Sequence, residues 1–234
     1  MKVGILQTGR APEKLRSTHG DYDEMSRVFL GLPHEFVRHY AVLDGHFPDD
    51  ATDCEAWFIT GSKYGVYEDH GWIAPLEAFI RLAYAMNRKM VGVCFGHQIM
   101  AQALGGKVEK FEKGFSVGAV DYTLTGPIRN AADGATQNIR LHAYHQDQII
   151  EPPKDAELTL TSDFCKYAGF AYKDWGLSVQ PHPEFSSTYL KDLVASRRGT
   201  LLSNALADKA TSSLKHPAQN GFQIKIQEFL EIHP

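Results

Sequence analysis

The chain has 234 residues, 43% of them hydrophobic and 22% charged, and a formal net charge of -4. That length suits one α/β domain with a large buried core and is short for two, while the composition excludes a disordered, fibrous or membrane-spanning protein. Lysines and arginines are dispersed and form no basic cluster, which argues against nucleic acid or an anionic membrane as a partner.

Met1 to Thr8 is an apolar, strand-like run with no basic leader and no small-residue cleavage site, so no secretory signal is expected and the default address is the cytoplasm. Cys54, Cys94 and Cys165 are an odd number at wide spacings, which fits neither a disulfide framework nor a structural zinc site. Each is judged separately, as a core thiol or a reactive one.

In chain order, Lys2 to Gln7 reads as a first strand. Asp21 to Leu30 places Tyr22, Met25, Val28 and Phe29 on one helical stripe, stopped by Gly31-Leu32-Pro33. Glu35 to Val42 reads as a second strand and Ala56 to Thr60 as a third, ending at Gly61; Trp72 to Met86 carries helical periodicity. Met90 to Val93 is a continuous apolar run, as an interior parallel strand covered on both faces requires, and it leads through Cys94 to Gln98 into helix-forming Ile99 to Leu104. The alternation predicts an α/β fold with helices on both faces of a sheet.

Beyond Gly105-Gly106 come shorter β-like runs at Lys107 to Lys110, Val117 to Leu124, Ile139 to Ala143, Leu158 to Thr161, Gly169 to Tyr172 and Gly176 to Gln180, a mixture of antiparallel and edge strands. From Ser186 the chain is helical again, with Ser186 or Ser187 as N-cap and Phe222 to Ile232 as a final amphipathic helix. The polar stretch from Ala207 to Gln219 is expected to be a mobile loop.

Cys94 stands at the junction of a buried strand and a helix, where a sharp turn exposes a nucleophile above the carboxyl edge of a sheet. Gly92 and Gly96 bring no β-carbons to crowd the turn, and the start of the following helix points free amides and the positive end of its dipole at the sulfur. The amide of Phe95 and one from Thr60-Gly61-Ser62 are placed to form an oxyanion hole. Cys54 and Cys165 lack such a setting and are read as structural.

A cysteine acting on an amide needs a proton donor for the leaving nitrogen and a base for water, and one histidine can serve both steps. Of eleven histidines, His182 is bracketed by Pro181 and Pro183 and followed by Glu184, which in extended backbone projects to the same side and can orient the ring. His97 is read as a packing or capping residue, and His142 and His145 as residues of a pocket wall or a turn.

Gly92-Val93-Cys94-Phe95-Gly96-His97-Gln98 resembles the nucleophile signature of class I glutamine amidotransferases, and Gln180-Pro181-His182-Pro183-Glu184 resembles their His-Pro-Glu signature. Within that family the chain is most similar to stand-alone proteins related to the amidotransferase part of GMP synthase, and the likeness covers roughly the first 190 residues. The resemblance implies a three-layer flavodoxin-like sandwich with a central mostly parallel sheet, one amidotransferase domain over 1–234, and a helical extension over 186–234 packed on the core.

It also implies roles. Cys94 attacks the γ-carboxamide to give a thioester, His182 protonates ammonia and activates water, Glu184 orients His182, and Gly61 and Phe95 supply the oxyanion amides. Gln98 contacts glutamine, and backbone near Tyr144 and His145 holds the α-amino and α-carboxylate groups, although Ala143-Tyr144-His145 stands where GMP synthase commonly has Met-Ser-His. No metal and no cofactor enters this chemistry.

The chain has neither the length nor the Gly-rich phosphate loop of an ATP-using partner domain, so an ammonia acceptor would be a separate synthase subunit. Three readings follow: a glutaminase that releases or hands on ammonia, a γ-glutamyl peptidase or γ-glutamyl-compound hydrolase, and a regulatory subunit without turnover. The C-terminal helices could serve a homodimer, a partner or the core, and the sequence leaves these open.

Overall fold

The computed structural model describes residues 1–128, 138–215 and 221–232. Its centre is a nine-stranded sheet in the order β2-β1-β3-β4-β11-β10-β9-β6-β7. The first five, β2 (Val37–Tyr40), β1 (Val3–Leu6), β3 (Ala56–Ile59), β4 (Lys89–Val93) and β11 (Gly176–Val179), run parallel. Four antiparallel strands extend it: β10 (Gly169–Tyr172), β9 (Glu157–Thr161), β6 (Ser116–Leu124) and β7 (Asn138–His145). A separate ribbon pairs β5 (Lys107–Lys110) with β8 (Asp147–Glu151).

Burial explains the apolar runs. All residues of β1, β3 and β11 are buried, because helices cover both faces of the parallel half. Val3, Ile5, Phe58, Val91 and Val93 share one core with Phe29 and Leu30 of α2 (Tyr22–Leu30) and Phe222, Ile226 and Leu230 of α7 (Gly221–Leu230). Leu6, Trp57, Ile59 and Met90 face the other side, against Leu76, Phe79 and Ile80 of α3 (Ile73–Ala85) and Ile99 and Met100 of α4 (Phe95–Ala103). The result is a mixed α/β sandwich of three layers around a large sheet.

A third apolar cluster joins Leu190, Leu193 and Val194 of α5 (Ser187–Arg197) and Ala207 and Ala210 of α6 (Asn204–Ser213) to Val117 and Phe185. Ser186 caps α5, its hydroxyl accepting from the Tyr189 amide.

Three local readings need correction. Glu35 to Val42 is a strand only over Val37–Tyr40, since Pro33 starts a 3-10 turn at His34–Phe36 and a second turn follows at Val42–Asp44. The polar stretch assigned to a mobile loop begins inside α6, which Ser203 caps and whose Ala207 and Ala210 are buried; 216–219 lie outside the described residues. The helix α1 (Glu13–His19) goes unmarked in the sequence, because it buries no residue fully and therefore carries no apolar stripe.

Candidate active site

The parallel strands β1, β3, β4 and β11 end on one edge, and each delivers part of the site there. Cys94 follows β4 with φ 53° and ψ -101°, an unfavourable region for a residue with a β-carbon. Its amide donates to the Val179 carbonyl on β11 at 2.8 Å, and its carbonyl accepts from Gln98 at 3.1 Å, so the turn is held from both sides. Close packing requires the flanking glycines. A β-carbon on Gly96 would stand 2.4 Å from the Ile59 carbonyl oxygen, and one on Gly92 would stand 2.5 Å from Gly96.

Beyond β11, the chain turns at Pro181 and brings His182 to the same edge. His182 Nδ1 donates to Glu184 Oε1 at 2.6 Å, and the imidazole is backed by Phe185, whose ring lies on it with centroids 3.9 Å apart. The side chains of both His182 and Glu184 are buried. Burial favours the neutral imidazole, but the Glu184 carboxylate and then the Cys94 sulfur outweigh it and raise the pKa to about 10. The arrangement therefore favours the protonated His182 ring beside the Glu184 carboxylate.

Gly61 closes the third side. The Thr8 hydroxyl donates to the carbonyls of Thr60 at 2.8 Å and Gly61 at 3.2 Å, while the Thr60 hydroxyl also reaches the Gly61 carbonyl at 3.1 Å. In a trans peptide the N–H points opposite to the C=O, so anchoring the Thr60 carbonyl toward Thr8 turns the Gly61 amide away from it. Phe95 is the first residue of α4, where an amide has no partner within the helix.

Cys94, His182, Gln98, Tyr144 and His145 all line one cleft of about 620 Å³. Gln98 donates to the Asp147 carbonyl at 2.9 Å and to Gln180 Oε1 at 3.0 Å. His145 Nδ1 lies 3.3 Å from the Asp147 carbonyl, and burial pulls its pKa down to about 3; its Nε2 has no hydrogen-bond partner among the described residues. His97 is fully buried under the site. Its Nε2 donates to the Tyr167 carbonyl at 2.9 Å, its Nδ1 accepts from Ser178 at 2.7 Å, and burial lowers its pKa to about 4, so it packs α4 as a neutral ring. The Cys54 and Cys165 thiols are buried, and burial raises the latter to about 12. Among the described residues no group of three or more His, Cys, Asp or Glu is arranged to hold a metal ion.

The family described as "Glutamine amidotransferase class-I" matches residues 48–197, a span that holds β3, β4, Cys94, His182 and Glu184. The chain belongs to the class I glutamine amidotransferase family. Among its relatives, γ-glutamyl peptidase 4 of Arabidopsis thaliana is 30% identical over 231 residues, 95% of this chain and 92% of that one. The glutamine-hydrolyzing GMP synthase subunit of Methanospirillum hungatei is 31% identical over 105 residues, 44% of this chain and 55% of that one. A glutamine amidotransferase of Thermotoga maritima superposes with a TM-score of 0.74 over 99% of both chains at 17% identity, which shows a shared fold.

The class I motifs do not announce every residue around this cleft. Thr8 lies at a strand end far from both signatures, and only the threonine at each of two adjacent strand ends hints at their pairing. Phe185 follows Glu184 directly but carries no polar signal. Arg10, Arg16 and Arg197 reach the cleft from the β1 loop, α1 and the end of α5, elements whose convergence has no local sequence mark.

Proposed function

We propose that the protein is a cysteine hydrolase of γ-glutamyl amide bonds whose leaving group is larger than ammonia. The observation that carries the reading is Cys94, at the strand-helix turn, beside a His182–Glu184 pair that opens onto a cleft of about 620 Å³. That volume lies within the range of pockets that enclose ligands of several hundred daltons, more than glutamine alone demands. Similarity along nearly the whole chain to a relative named γ-glutamyl peptidase supports the same choice, whereas the likeness to the GMP synthase subunit spans less than half.

In the proposed reaction the Cys94 thiolate attacks the γ-carbonyl carbon, and the electron pair displaced onto oxygen is held by the amides of Gly61 and Phe95. The C–N bond then breaks as the His182 imidazolium gives its proton to the leaving nitrogen, which leaves a γ-glutamyl thioester on Cys94. His182, now neutral and oriented by Glu184, takes a proton from water; the resulting attack breaks the C–S bond, frees glutamate and restores the ion pair. Gln98 and the backbone at Tyr144 and His145 hold the glutamyl end, while Arg16 and Arg197 suit a leaving group that ends in a carboxylate.

Initial rates with a γ-glutamyl dipeptide, a γ-glutamyl alkylamide and glutamine test this reading. It predicts the highest kcat/KM for the dipeptide, with glutamate and the free amine formed in equal amounts. A preference for glutamine would overturn the larger leaving group and favour a glutaminase that supplies ammonia to a separate synthase.

A further inference from the structure

The segment that carries His182 and Glu184 is held by one residue outside the cleft. β7 is the last strand of the sheet, and among the described residues its outer edge pairs with no further strand; instead it forms an isolated antiparallel bridge between His142 and His182. The His182 amide donates to the His142 carbonyl at 2.7 Å. From the same residue, the ring Nδ1 lies 2.8 Å from the Phe185 carbonyl, and Nε2 lies 3.2 Å from the Ser187 hydroxyl.

These partners fix the tautomer. A carbonyl can only accept, so His142 Nδ1 carries the proton, and Nε2 is left to accept from Ser187. Burial and the neighbouring His182 charge both lower the His142 pKa, which keeps that neutral form in place. The ring is itself buried, so its bonds are sheltered from water.

His142 thus holds both ends of a four-residue turn. At the first end its carbonyl takes the His182 amide; at the second its ring donates to the Phe185 carbonyl; between them the Phe185 amide closes the turn on the His182 carbonyl at 3.4 Å. The side chains at the two ends then meet, Phe185 stacked on the imidazole within 8° of parallel. Sliding the Phe185 backbone would slide the ring that supports His182.

We infer that His142 is a positioning residue for His182, acting through the Phe185 carbonyl and ring to hold the imidazole between Glu184 and Cys94. The inference rests on the proposed role of His182, but it can be examined without any substrate.

The discriminating pair is His142→Asn, whose side-chain amide can sit where Nδ1 sits and donate to Phe185, and His142→Gln, whose amide lies one methylene further out. Three readouts apply: the low-field proton resonance of the His182–Glu184 hydrogen bond, the pH profile of Cys94 alkylation by iodoacetamide, and kcat against KM on a γ-glutamyl dipeptide. His142→Asn is expected to keep the resonance and the alkylation profile of the native protein. His142→Gln is expected to lose the resonance, shift the profile and lower kcat by roughly 10- to 100-fold with little change in KM, as displacement of a reacting group by about 1 Å does. Equal behaviour of the two variants, whether both native-like or both impaired in step with their melting temperatures, would overturn the inference. If the native protein hydrolyses no γ-glutamyl compound, the resonance and alkylation data still decide the role of His142 while the functional proposal fails separately.

Discussion

Gly61 and His182 approach so closely that a β-carbon on residue 61 would stand 2.7 Å from Cε1 of the imidazole. The same position would lie 3.6 Å from Cβ of Cys94, so this glycine touches both members of the proposed proton-transfer pair. Gly61→Ala should therefore push His182 out of line and disturb the proposed oxyanion amide, costing about 100-fold or more in kcat. Steady-state kinetics beside a thermal melt would check it. A variant with native kcat would show that the ring has room to yield.

The Glu184 carboxylate is the strongest influence opposing burial at His182, so removing its charge should let burial prevail. Glu184→Gln is expected to bring the His182 pKa down from about 10, as read by proton–nitrogen NMR over a pH series. The sign for stability follows. Because the folded pKa is raised, the contribution of the ion pair is complete below the ordinary imidazole value of about 6.5 and disappears as the pH rises through about 10. Glu184→Gln should therefore flatten stability over that interval, and an unchanged His182 titration would contradict the assignment.

Acid acts in the opposite sense on His97. Held neutral by burial with a pKa of about 4, it binds no proton in the fold where an unfolded histidine does, so stability should fall as the pH drops from about 6.5 toward 4. The slope is about 1.4 kcal/mol per pH unit for one such group. Urea denaturation across this interval should show His97→Gln losing that part of the slope; parallel curves would mean that His97 already takes up its proton in the fold.

Arg16 and Arg197 line the cleft, and Arg16 Nε is buried with no hydrogen-bond partner among the described residues. Losing one charge-assisted bond to a carboxylate costs about 1.5–3 kcal/mol, or roughly 10- to 100-fold in kcat/KM. Arg197→Met and Arg16→Met should show that loss with a γ-glutamyl dipeptide and little change with a γ-glutamyl alkylamide. Equal losses on both substrates would remove the arginines from leaving-group recognition.

The parallel half of the fold is legible because its strands are buried on both faces and read as unbroken apolar runs, from Ala56 to Ile59 and from Met90 to Val93. Cys94 can be placed at a turn for the same reason, since a buried strand meets a helix there with glycines at 92 and 96. Less legible are parts defined by contact at long range. β8 alternates too weakly to stand apart from its surroundings, and α1 has no buried face. The stretch from Ala207 resembles a loop because its buried helical side chains are alanines, which give little hydrophobic contrast, yet Ala207 and Ala210 pack into the third core. His142 illustrates the limit most clearly: its three bonds to the 182–187 segment join residues about forty positions apart, and no local pattern anticipates them.

Acid-quenched mass spectrometry of the protein mixed with a γ-glutamyl dipeptide tests the central claim most directly. A γ-glutamyl adduct should appear transiently on the peptide that contains Cys94 and be absent from Cys94→Ala, which should not turn over. Turnover by Cys94→Ala at the native rate, or an adduct on a different residue, would contradict the account.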